Sequence, residues 1–128
     1  MRQVCVAVFL GLVAAFPAQA QDFPYDRDLV LDARPMRGSR RVPVLSVDAS
    51  GAMQIDLWCK RGQGQAVIAG DTITIIVRAM ADEACTPERA QADEQMLAAL
   101  TQATSWTLRG DLLTLNGGAT LRFRAASH

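Results

Sequence analysis

The sequence predicts an α+β domain, predominantly β, in which a small barrel-like antiparallel sheet carries one helix over about residues 87–103. Three observations predict it. Short runs of alternating apolar and polar residues recur along the chain, separated by turn residues such as Gly70-Asp71, Gly110-Asp111 and Asn116-Gly117-Gly118. Only the stretch after Cys85 combines helical spacing with a start signal. Residues 21–128 have the length of a single ordinary domain.

In chain order, a short first strand is expected around Asp28–Ala33 and a second over Val42–Val47. Arg40-Arg41 marks an exposed turn before the second. Asp48-Ala49-Ser50-Gly51 has turn chemistry, with Asp first and Gly last. Met53, Ile55, Leu57 and Cys59 then alternate with Gln54, Asp56, Trp58 and Lys60. That period predicts a half-buried strand with Cys59 on its apolar face and Trp58 on the other. Gly62-Gln63-Gly64 breaks the alternation and reads as a flexible turn; it has neither the helix nor the lysine of a phosphate-binding loop. Gln65–Ala69 is a further strand, and Thr72–Arg78, rich in β-branched residues, sets Ile73, Ile75 and Val77 on one face.

The helix opens with Thr86 as N-cap, Pro87 in the first turn and Glu88 suited to the helix dipole. Ala92, Met96, Leu97, Ala99 and Leu100 form a narrow apolar stripe, and methionine there is core filler. A β-meander closes the chain. Trp106 and Leu108 alternate with Thr107 and Arg109, Leu113 and Leu115 face inward, and Leu121 and Phe123 complete the face.

The N-terminus reads as a secretory signal peptide over residues 1–20. Arg2 is the charged region, Val4 to Phe16 the apolar run, and Ala18-Gln19-Ala20 the cleavage site. The run is shorter than the roughly 20 residues that span a bilayer. No cysteine stands at the cleavage site, so no lipid anchor is expected. The expected product is residues 21–128, periplasmic or secreted, without a stable membrane anchor. Without Arg2, 12 basic residues face 13 acidic ones. That balance argues against a nucleic-acid partner and against strong capture by anionic lipid.

Cys59 and Cys85 remain once Cys5 has left with the signal peptide. An even count in an exported domain predicts a disulfide. It would close a loop of about 27 residues and add about 3.5 kcal/mol of stability by the chain-entropy argument. The alternative is a pair of functional thiols. With one histidine, His128, at the very end, and no C-x-x-C, neither a metal set nor a thioredoxin-like centre is expected.

A resemblance rests on Cys85, Pro87, Glu94, Leu97 and Leu100, then Trp106-Thr107-Leu108-Arg109-Gly110-Asp111-Leu112-Leu113-Thr114-Leu115, then Leu121 and Phe123. In order and spacing these resemble the META domain family, which includes the HslJ-like heat-shock proteins of bacterial envelopes. Cys59 matches the family's earlier cysteine, and the resemblance covers about Asp48 to Phe123. It implies a compact barrel-like sheet with one helix, roles in stress response and at the envelope, and no enzyme activity. The family's first cysteine is typically followed by asparagine. Here the stretch is Trp58-Cys59-Lys60-Arg61, so any role of that asparagine does not carry over. The opening strand also lacks the family's frequent tryptophan.

No catalytic set is expected. His128 is not positioned for a Ser-His-Asp triad, and Asp82-Glu83 and Asp93-Glu94 read as solvated acidic pairs. The expected function is a non-enzymatic periplasmic module, binding or stabilising an envelope protein under stress, without a cofactor or metal. Trp58, Lys60, Arg61 and Arg78 form a candidate contact surface, an outward aromatic among cations; the alternative is that Trp58 packs under the helix or across a closed barrel, as a large aromatic usually does. Alternatives are a lipocalin-like carrier of a small apolar ligand inside the barrel and a hydrolase of unrecognised type.

Overall fold

The computed structural model describes residues 3–8, 11 and 22–127. The expected cleavage site after Ala20 and the terminal His128 lie outside the described residues. Among those described, no helix is long and apolar enough to cross a membrane.

Eight strands close into an antiparallel barrel in sequence order: β1 (Leu29–Leu31), β2 (Val44–Val47), β3 (Ala52–Asp56), β4 (Arg61–Ala69), β5 (Thr72–Met80), β6 (Ser105–Arg109), β7 (Leu112–Asn116) and β8 (Leu121–Ala125). β8 returns to β1, pairing Leu29 with Ala125 and Leu31 with Phe123. One helix, α1 (Pro87–Gln102), joins β5 to β6. The expected fold class, α+β and predominantly β, is the one observed.

Each expected strand forms because its alternation is real: Leu45, Val47, Met53, Ile55, Ile73, Ile75, Leu113, Leu115 and Phe123 are all buried. Gly70 and Gly110 hold positive φ in the β4–β5 and β6–β7 turns. The Asp48 turn is closed by its own carboxylate, which accepts from Ser50 Oγ at 2.6 Å, Ser50 N at 2.9 Å and Ala52 N at 3.0 Å. The helix starts as expected, with Thr86 Oγ1 accepting from Arg89 N and Pro87 in the first turn.

Two expectations about the middle of the chain need correction. The strand expected to run through Cys59 stops at Asp56. Leu57 N donates to Lys60 O, and the tight turn this makes takes Trp58 and Cys59 out of the alternation. Gly62-Gln63-Gly64 is not a turn but part of β4, with a register shift between Gln63 and Gly64. Its glycines face inward where the sheet curls. A Cβ on Gly62 would meet the Ala79 carbonyl and Met80 Sδ, and one on Gly64 would lie 2.6 Å from Ile76 O.

The barrel is filled by its own side chains. The void among Leu29, Leu45, Val47, Ile75, Leu113 and their neighbours measures about 10 Å³. That is no more than the volume a single water occupies. A carrier holding its ligand inside the barrel therefore has no lumen here, because Leu and Ile side chains occupy the space a lipocalin leaves open.

Candidate functional site

In an up-and-down barrel successive turns alternate between the two ends. The helix end carries the Leu57–Lys60 turn, α1 and the Asn116–Gly118 turn. The opposite end carries the Asp48, Gly70 and Gly110 turns, with the segment leading into β1.

At the helix end, Cys59 and Cys85 stand at disulfide distance, with Cα atoms 6.0 Å apart. Beside them lies Asp93 of α1, only 1% exposed. Its carboxylate accepts from Lys60 N at 2.8 Å and from Cys59 N at 3.2 Å. The reading of Asp93 as a solvated acid is thus overturned: Asp93 is three residues before Met96 and seven before Leu100, on the buried side of α1. That spacing was the signal in the sequence. Glu94, its neighbour, is exposed. Asp93 does here what a capping residue does elsewhere, giving buried backbone donors a charged acceptor.

The sulfurs of Cys59 and Cys85 and a carboxylate oxygen of Asp93 lie within 4.8 Å of one another. As a disulfide the sulfurs present no thiolate, the form in which cysteine ligates metal. The chemistry of this trio is that of a staple. It joins the β3–β4 turn to the start of α1 twice, once covalently and once through a buried carboxylate.

The other residues expected to form a contact surface are spread around this end. Trp58 and Lys60 are half-buried in the turn, and Trp58 stands outside the core cluster. Arg61 Nε pairs with Asp56 Oδ1 at 3.0 Å, and the same oxygen accepts from Arg41 at 2.8 Å. Arg78 sits in β5 and donates to Gln65 of β4. Two of the three cations are thus held by partners of the barrel itself.

The opposite end has a larger opening, one the sequence did not flag. A groove of about 890 Å³ runs between Phe23 and Tyr25, the β4–β5 hairpin at Ile68 and Gly70, and Trp106 and Leu108 of β6. Phe23 packs tilted on Tyr25 at 5.1 Å and edge-on to Trp106 at 5.3 Å. Trp106 is 7% exposed, and its Nε1 has no hydrogen-bond partner among the described residues. Asp22, Asp71 and Arg109 stand exposed at the rim. The only hint in the sequence was Phe23-Pro24-Tyr25, too short and too near the expected cleavage site to carry a pattern.

The META domain model matches residues 26–128. The chain belongs to the META domain family. Two solved structures share the fold. One, an NMR structure of a protein from Burkholderia xenovorans, is 22% identical, covers 90% of this chain and 97% of its own, and superposes with a TM-score of 0.61. The other, also an NMR structure, is 18% identical, covers 81% of this chain and 95% of its own, with a TM-score of 0.61. No curated protein matches the chain. In this META domain the residues that carried the resemblance divide between the two ends. Cys59, Cys85 and the helix build the staple, whereas Trp106 and Leu108 line the groove.

Proposed function

We propose that this META-domain protein is a non-enzymatic binding module working in the periplasm, where it supports envelope stress tolerance, and that its binding surface is the aromatic groove at the barrel end away from the helix. The groove carries the reading. It has the volume and apolar walls of a ligand site, which typically runs to about 300–1,000 Å³ with a few polar groups to set orientation. A buried indole N–H left without an acceptor is the kind of polar debt that native structures keep for a reason. The ionisable groups at the rim are exposed rather than convergent in a cleft, which favours binding over catalysis. Export is supported by Arg2, the apolar run and Ala18-Gln19-Ala20, and a disulfide pair suits an oxidising compartment.

The test is mass spectrometry of the protein recovered gently from its own periplasm, run native and then denatured. The expected result is a native mass above the denatured one, with the excess lost in Leu108→Asp, which places a charge in the groove wall. Equal masses for the wild type would overturn the reading.

A further inference from the structure

We infer that the groove takes an extended apolar peptide segment, which adds as a short strand to the free edge of β6; this rests on the groove being the binding surface. The geometry of the β5–β6 seam leads there. The two strands share one ladder position, Thr72 with Ser105. Ile73 N donates to Thr104 O and Trp106 N to Asp71 O, so the even-numbered residues of β6 aim their main-chain groups toward β5. At Gly70-Asp71 the chain turns back into β4, and beyond that point β6 continues without a ladder partner on this side among the described residues. By that alternation Leu108 N–H and C=O face the groove side of β6, where the ladder gives Leu108 no partner among the described residues.

An unpaired donor and acceptor on one residue of a strand are complementary to one thing in particular, another extended backbone. The vacant ladder position lies within the groove. Its walls at Tyr25, Ile68 and Trp106 suit every second side chain of such a segment, the period at which strand residues share a face. Charge narrows the occupant further. At the rim the two exposed carboxylates, Asp22 and Asp71, outnumber the one exposed cation, Arg109, and none of the three has an ion pair among the described residues. A segment with a basic residue next to its apolar positions fits that excess. The occupant is thus a peptide stretch of a partner protein, read through its backbone, with apolar residues at alternate positions and a lysine or arginine alongside.

The probe is a panel of blocked hexapeptides alternating threonine with valine, leucine, phenylalanine or tyrosine, each beginning with lysine. They are titrated into the ¹⁵N-labelled protein with its disulfide formed. The expected result is that at least one peptide shifts the Leu108 amide and the Trp106 indole N–H together. N-methylation of its alternate amides should weaken binding at least tenfold, and lysine to glutamate should weaken it severalfold. If the N-methylated peptide binds as well as its parent and moves Trp106 but not the Leu108 amide, strand addition is wrong and the groove reading stands. If no peptide moves any groove signal, strand addition is likewise overturned, and the native-mass test still decides the groove separately. Shifts at Leu108 that appear on raising protein concentration alone, with a doubled mass, would overturn it in favour of a second copy pairing at this edge.

Discussion

At the helix end of the barrel, three devices act on one small region. The Cys59–Cys85 pair ties the β3–β4 turn to the start of α1, Asp93 binds the backbone of that turn, and Met96 and Leu100 reach the core cluster. At the groove end the chain does the opposite. It leaves the Trp106 indole N–H without a hydrogen-bond partner and the main chain of Leu108 without a ladder partner on the groove side, among the described residues, and sets Phe23 edge-on against Trp106. Both ends close the same barrel, so the fold does not require the difference. The contrast teaches where the chain invests in stability and where it does not: local rules are satisfied redundantly at one end and broken at the other, as the proposed binding reading of the groove calls for.

The largest effect that would break this comparison is loss of the covalent half of the staple. Replacing both cysteines, Cys59→Ala with Cys85→Ala, should lower unfolding stability by about 3.5 kcal/mol, as loop entropy returns to the unfolded chain. Urea denaturation checks it, with peptide or ligand binding at the groove unchanged where the variant stays folded. Asp93→Ala should come next, at about 2–3 kcal/mol, because two backbone N–H groups lose a charged acceptor. Asp93→Asn, which keeps an oxygen acceptor, should cost less. If Asp93→Ala costs no more than an ordinary surface substitution, the carboxylate is not the second half of the staple.

How far these ends were legible in the sequence follows from how local their signals are. Thr86, Pro87 and the glycine turns act on neighbours within a few residues, so their patterns reached the structure intact. The pairing of Cys59 with Cys85 was legible from their number. Asp93 was not, because an acid is ordinarily solvated; only its place on the Met96–Leu100 face reveals burial, and its partners lie 33 and 34 residues away. Gly62 and Gly64 misled for a related reason. Glycine signals a turn unless another backbone must come close, and that approach is set by the curl of β4 against β5. The groove escaped altogether, since Phe23 meets Trp106 from 83 residues away and no periodicity links them.

Gly64→Ala sharpens the account of that curl. The added methyl would meet Ile76 O and Ile55, and overpacking of this kind costs about 1–3 kcal/mol. Thermal unfolding reads it, and a neutral result would mean that β4 relaxes freely. Tyr25→Ala, by contrast, truncates a half-buried groove residue and should cost about 1 kcal/mol or less of stability. Its expected effect is on the shift and affinity of the peptide probes. A variant equally stable and equally able to bind would remove Tyr25 from the groove's working wall.

The smallest effect belongs to the turn beside the open end. The Asp48 carboxyl sits below its ordinary value chiefly because the Ser50 hydroxyl donates to it; the backbone N–H groups of Ala52, Ser50 and Gly51 add to this, and partial desolvation opposes it. A lowered pKa in the folded state means that the native protein holds the ionised form better than the unfolded chain does. The stability this gives is present above the ordinary aspartate value, near pH 4, and is lost as the pH falls through the lowered one. Asp48→Asn keeps an oxygen for the same donors but removes the titration. Urea midpoints followed from pH 5 down to pH 2.5 should fall less steeply in the variant than in the wild type. The variant should also be slightly less stable at pH 7. The same comparison made in Cys59→Ala with Cys85→Ala should show an unchanged difference, because the two ends share no partner and distant sites add. A changed difference would mean that the staple reaches through the barrel to the open end.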